Sequence, residues 1–320
     1  VVVTNLVHTV TRSWRGLALA AMATALVAAI PPIASAQPAP AGRTPILLVT
    51  GQSSVYHDWQ KSSRQIEQIL AATGLFDVAV TITPPAGESM AGFAPDWSRF
   101  RAVVLDYDGD LWPATTRAAF SDWLAGGRGL VLVHAADNAF PDWPEFQLMA
   151  GVGGWRGRDE SAGPKLRWRD GAAVLDTSPG VAQHPRQHDF QIVTRAPDHP
   201  VMRGLPAVWM HANDELYSQL RGPARDVTIL ATARAEPPVQ GATGEHEPML
   251  MAIRYGDGRV FHTTLGHVAP RDTEPVATTH SVGFIVTLQR GTEWAASGEV
   301  TQAVPADFPG SDRPTTRATP

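Results

Sequence analysis

Three histidines of this 320-residue chain each follow a run of residues that reads as a strand, and that placement is where chemistry is expected. His134 ends the run that starts at Leu130, His57 lies in the polar loop after Pro45 to Thr50, and His267 follows Arg259 to Leu265. Imidazole changes charge near neutral pH, so it can accept a proton, hydrogen-bond a substrate or ligate a metal. Two carboxylates, Asp214 and Glu215, stand next to each other. In extended backbone they face opposite ways, so at most one reaches a given pocket. An imidazole base with a carboxylic acid makes an acid–base pair, each member worth roughly 10²–10⁴-fold when positioned. On this reading His134 is the base, Glu215 (or Asp214) is the acid and orienting partner, His57, His199 and His267 bind substrate oxygens, and Tyr56 beside His57 is a further substrate-binding residue. The same groups could instead hold Zn²⁺ or another divalent ion, which accepts two or three imidazoles plus a carboxylate and leaves a position open. No His-Glu-x-x-His or other local ligand pair occurs, so both readings depend on distant segments converging.

A parallel sheet would bring them together. The glycines of Gly126-Gly127-Arg128-Gly129 end a helical pattern, and Leu130 to His134 then reads as a strand buried on both faces. The strand Pro45 to Thr50 leads through the loop Gly51 to Trp59, with Tyr56 and His57, into a helix over Ser62 to Gly74. Further strands are expected at Phe76 to Ile82, Phe100 to Leu105, Phe190 to Val193 and Val227 to Ala233, with a helix at Thr115 to Ala125. Gly256-Asp257-Gly258 joins Met249 to Tyr255 with Arg259 to Leu265 as a hairpin, and Ser281 to Trp294 reads as a closing helix. The fold class is therefore α/β, a mostly parallel sheet flanked by helices with a hairpin and a helix at its carboxyl end. Ligands of such sheets bind beyond the carboxyl ends of the strands, where His57 and His134 are expected.

Other patterns exclude more than they assign. The acidic loop Asp106-Tyr107-Asp108-Gly109-Asp110 is not an EF-hand: its glycine arrives two places early and Arg117 stands where the last glutamate belongs. The glycine-rich stretch from Gly151 to Arg158 fits neither a regular element nor a phosphate loop. Trp155 within it is either a sugar-stacking platform or a cover over the core. The chain has no cysteine, which removes disulfides, thiolate metal sites and cysteine nucleophiles. A net charge of -5 with no basic block argues against nucleic acid as a partner.

The ends read differently from the middle. Arg12 and Arg15 precede the apolar run Leu17 to Ile30, and Ala34-Ser35-Ala36 offers a small-residue cleavage site, the order of a secretory signal. The run falls short of the roughly twenty residues of a comfortable membrane span. The expected organisation is a signal peptide at 1–36, a Pro/Ala linker at 37–44, one domain at 45–296 and a disordered tail at 297–320, in a periplasmic or secreted protein without a membrane segment after cleavage.

Several segments together resemble one known family. Gly-x-x-x-x-His-Ala-Ala ending on Ala136, Asp-His-Pro-Val with Gly-Leu-Pro at 198–206, Asp-Glu-Leu-Tyr at 214–217 and Tyr-Gly-Asp-Gly-Arg-Val-Phe with Leu-Gly-His at 255–267 resemble the ThuA-like (trehalose utilisation) family, in order from about Pro45 to Ala296. The resemblance implies a fold similar to class I glutamine amidotransferases and a role in carbohydrate catabolism. The implied substrate is a small carbohydrate, an oxidised keto-sugar or a glycoside, made by a partner dehydrogenase. Amidotransferases carry a cysteine at the turn after the central strand, whereas this chain has Val133-His134-Ala135, so thiolate glutaminase chemistry is excluded; no Gly-x-Ser-x-Gly elbow replaces it. Arg158-Asp159 stands where the family pattern leads one to expect a histidine. Proton abstraction beside a ketone, as in isomerisation, elimination or ketone-assisted glycosidic cleavage, suits the acid–base pair, with no cofactor required or with a divalent metal. Ten tryptophans, Trp155 among them, would also suit a sugar-binding module without chemistry.

Overall fold

The computed structural model describes residues 42–319; the signal segment expected at 1–36 and most of the linker lie outside them. Within the described residues the chain forms β1 (Thr44–Thr50), α1 (Trp59–Ala71), β2 (Phe76–Ile82), β3 (Ala102–Leu105), α2 (Ala114–Ala125), β4 (Gly129–Val133), α3 (Pro144–Ala150), β5 (Lys165–Arg169), β6 (Ala172–Asp176), β7 (His188–Thr194), β8 (Val208–Asp214), β9 (Val227–Ala233), β10 (Glu247–Tyr255), β11 (Gly258–Thr263), α4 (Ala277–His280) and α5 (Val282–Ser297). α1 starts three residues before the expected Ser62 because Asp58 caps it, its carboxylate accepting the Lys61 N–H.

Nine strands make one sheet in the order β2-β1-β3-β4-β11-β10-β9-β7-β8. The first five run parallel, and each later strand is antiparallel to its neighbour. The sheet is thus mixed. The expected carboxyl-end hairpin is no appendage: β11 inserts beside β4, pairing Val260 with Leu130 and Thr263 with Val133.

Alternation along the central strands explains their unbroken hydrophobicity. Ile46, Leu48, Val131 and Val133 pack with Ile66 and Ile69 of α1 and with α5, while Leu47, Val49, Leu130 and Leu132 pack with Phe120 of α2 and Phe146 of α3. α5 is buried nearly all round. A Cβ at Gly291 would overlap the Phe261 ring of β11, and one at Gly283 would overlap the Trp209 ring of β8. The helix therefore packs against both the middle of the sheet and its outermost strand, so the sheet curls around it and brings β8 back toward β11.

Four elements escape the periodicity reading, β5, β6, β8 and the single-turn α4. The β5–β6 hairpin turns on Asp170-Gly171, both with positive φ (52° and 80°), a dipeptide that is itself a hairpin signal. The expectation of a disordered tail is corrected for the described part. Residues 298–319 lack regular structure, but Val300, Val304 and Phe308 pack on the core, Met210 N–H donates to Gly310 O at 2.9 Å, and Val282 N–H donates to Thr315 O at 2.9 Å. Sparse apolar anchors hold a segment whose average composition is polar.

Candidate active site

The carboxyl end of β4 leads straight into His134, a non-glycine residue held at φ 48°, and a short 3₁₀ turn follows to Asn138. Backbone in this region costs roughly 1–3 kcal/mol and persists only where the surroundings enforce it. Here the ring supplies one constraint: Nδ1 donates to Thr264 O at 2.7 Å. Arg158 supplies another, its guanidinium donating to the carbonyls of Asn138, Ala139 and Gly154 at 2.8–3.0 Å. The glycine-rich stretch is thereby tied to the turn that carries His134.

His267 follows β11 in a loop that Asp214 grips. The buried Asp214 carboxylate accepts the N–H groups of Gly266 (2.8 Å), His267 (3.2 Å) and Glu215 (2.7 Å), and His211 Nε2 donates to it at 2.8 Å. His57 stands in the loop after β1, joined to Ser54 Oγ through Nδ1 at 3.0 Å; Asp58 N–H donates to Val268 O at 2.9 Å and ties that loop to the His267 loop. Four reversals separate β11 from β8, so β8 again runs with β4 and delivers Glu215 to the same edge.

These four loops converge. His57, His134, Glu215 and His267 each present one atom within 4.8 Å of the others. His134 Nε2 lies 3.1 Å from His267 Nδ1 and 3.7 Å from Glu215 Oε2, and His267 Nδ1 lies 3.1 Å from the same oxygen. A carbonyl only accepts, so His134 carries its proton on Nδ1 and turns the Nε2 lone pair to the cleft, where Tyr217 OH donates to it at 2.9 Å. Burial, then the neighbouring charges of His57 and His267, hold His134 well below the usual histidine range. His57 is lowered to about 3 by burial and by His267 and His184. His267 goes the other way: burial opposes its cation, but the hydrogen bond and charge of Glu215 prevail and raise it. Tyr217, raised by burial and by nearby carboxylates, stays a phenol. The cleft therefore combines two neutral imidazoles, a phenolic donor and a proton held between His267 and Glu215.

Beside it runs a narrow cavity lined by His57, His134, Gln52, Ser53, Ser62 and Asp106. Ser62 Oγ donates to Asp106 at 2.7 Å, and burial lifts this carboxyl to about 7. Roomier hollows lie elsewhere, against His199 and Trp294 and beside Trp168 and His246, and contain none of the four converging groups.

Of the residues singled out in the sequence, His57, His134, Glu215 and His267 meet. Asp214 sits behind them as a loop clamp, without facing the cleft. Trp155 is at the rim, its ring centroid 4.5 Å from that of Tyr217. Tyr56 projects outward at 73% exposure, and His199 belongs to the β7–β8 connection, the end of that hairpin opposite Asp214, with its ring against Trp294. Tyr217 and His184 were missed. Tyr217 is two residues beyond Glu215, in a tight turn where its N–H donates to Glu215 O at 3.0 Å, so nearness in sequence to a candidate carboxylate was its one readable signal. His184, whose Nε2 lies 3.7 Å from Glu215 Oε2, has none.

This chain belongs to the ThuA family, described as trehalose utilisation, which matches residues 45–295. It is similar to a ThuA-like protein from Parabacteroides merdae of known crystal structure, at 44% identity and a TM-score of 0.83, over 87% of this chain and 98% of that one. A ThuA-like protein from Bacteroides uniformis shares the fold at 14% identity and a TM-score of 0.54, over 82% and 96% of the two chains. No curated protein matches the chain in sequence. The family's description points to carbohydrate metabolism.

Proposed function

We propose that this protein converts a keto-sugar or glycoside by acid–base chemistry at the cleft between His57, His134, Glu215 and His267. One observation carries the reading: a neutral imidazole lone pair, a phenolic donor and a shared proton face one another at the sheet edge where α/β folds bind ligands. His134 Nε2 takes a proton from the carbon beside a ketone. Tyr217 donates to the ketone oxygen as negative charge develops there. If the electron pair then expels a glycosidic oxygen from the next carbon, the proton held by His267 and Glu215 goes to that leaving group; if His134 instead hands its proton to the former ketone carbon while the adjacent hydroxyl passes its proton to the old ketone oxygen and becomes the new carbonyl, the outcome is isomerisation. In an amidotransferase-like frame His134 occupies the turn that holds the nucleophilic cysteine in those enzymes, and with no cysteine in the chain the turn serves proton transfer.

A purely sugar-binding module fits less well, because Trp112 and Trp209 are core residues and, among the described residues, Trp155 alone of the tryptophans adjoins Tyr217. We also read residues 1–36 as an export signal, so that the substrate would be met outside the inner membrane after a dehydrogenase has oxidised it. The test is incubation with a panel of keto- and unmodified disaccharides. Conversion confined to the keto-sugars, and lowered at least about 100-fold by His134→Ala, supports the reading; conversion untouched by that substitution removes it.

A further inference from the structure

We infer that the four converging groups form a divalent-metal site, with His57 Nε2, His134 Nε2, His267 Nδ1 and a Glu215 oxygen as ligands. The inference rests on the cleft being the reactive centre but not on the identity of the sugar. Ligands 2.0–2.1 Å from a tetrahedral ion are about 3.3 Å apart. The separations of 3.1, 3.1 and 3.7 Å among His134, His267 and Glu215 fall around that edge length.

The protons point the same way. His134 is oriented from its far nitrogen by Thr264 O, an outer partner that fixes the tautomer and aims the other nitrogen at a metal, and His57 is held at its far nitrogen by Ser54 Oγ, which can accept that N–H and leave the other nitrogen free to ligate. His57 Nε2 is buried and has no hydrogen-bond partner at all. Lone pairs on His57 and His134 and a carboxylate oxygen thus share a small space with few protons between them; a cation satisfies all of them at once.

The donor set selects the ion. Three imidazoles and one carboxylate suit zinc or another late first-row ion, and magnesium or calcium poorly. A bound ion would engage the imidazole lone pairs and, by acidifying a water, would supply the proton acceptor in place of His134.

The full chain, stripped with a chelator and dialysed against Zn²⁺ or Co²⁺, should retain one ion per chain by elemental analysis, and the cobalt form should show visible bands of low-symmetry coordination. His57→Ala, in a half-exposed loop, and Glu215→Gln should each weaken binding by more than about 100-fold, beyond the 10–100-fold of an outer-shell change, while His199→Ala leaves stoichiometry at one. Absence of bound ion at micromolar metal, or stoichiometry unchanged in His57→Ala with His134→Ala, overturns the site. Stripped protein that converts a keto-sugar as fast as loaded protein overturns the ion's role and leaves the sugar reading standing. A loaded protein that holds one ion yet converts no sugar supports the site and removes the sugar reading.

Discussion

The backbone N–H of His267 donates to the side chain of Asp214 at 3.2 Å, so the last residue of the outermost strand fixes the loop beyond a central one. Glu215, its neighbour in sequence, turns the other way and meets the His267 ring at 3.1 Å. One carboxylate holds the backbone of the loop and the next addresses its imidazole.

Asp214→Asn should therefore lower stability by about 3 kcal/mol, because His211 and three N–H groups lose a buried charge. Denaturant melts read the loss. Activity should fall further than the melt explains, since the His267 loop is released.

Gly266 has φ 114°, and a Cβ there would lie 2.8 Å from the Phe284 ring. Gly266→Ala is expected to cost about 2 kcal/mol through strain and overpacking. A crystal structure of the variant should show the His267 ring displaced from His134.

Tyr217→Phe removes the donor to His134 Nε2 and little else. Stability should drop by about 1 kcal/mol, whereas kcat on the converted keto-sugar should fall about 100-fold with KM nearly unchanged. An equal change in both constants would assign Tyr217 to binding instead.

Acid should destabilise the metal-free protein. His57 titrates near 3 when folded and near 6.5 when unfolded, so between those values only the unfolded chain takes up the proton and stability falls as pH drops. His134, also depressed, adds to the loss. Asp106 acts in the opposite sense: lifted from 3.8 to about 7, it holds a proton when folded that the unfolded chain releases, and its contribution is lost as pH rises through 7. Melts of Asp106→Asn against the parent should show a gain at pH 8 that is smaller or absent at pH 4.

At the rim, Trp155→Ala should raise KM about 10-fold with kcat preserved, the loss of one aromatic contact. His199→Ala, at the opposite end of the β7–β8 hairpin, should change neither constant.

Much of the sheet was legible: β1 and β4, buried on both faces, read as unbroken apolar runs and fall within one residue at each end, while β2 at the exposed edge and the antiparallel β9 fall on the expected residues through their β-branched content between turn signals. β8 was not, since Val208–Asp214 mixes Trp209, His211 and Asn213 in a segment whose burial depends on the helix it wraps. Three of the four converging groups follow expected strands, and Glu215 was recognised by type. Their meeting was not visible, because it depends on the curl of the sheet, set by the contacts of Gly283 and Gly291 that no local pattern reports. His199 misled because a histidine beside a turn looks the same at either end of a hairpin.

The tail's pairing with Met210 also bears on solubility. β8 ends the sheet, and a bare outer strand offers its amides and carbonyls to any passing chain. Gly310 O takes the Met210 amide, so the tail blocks that template at its middle. A chain trimmed after α5 would bare the Met210 amide to strand-to-strand association while every residue of the cleft is still present.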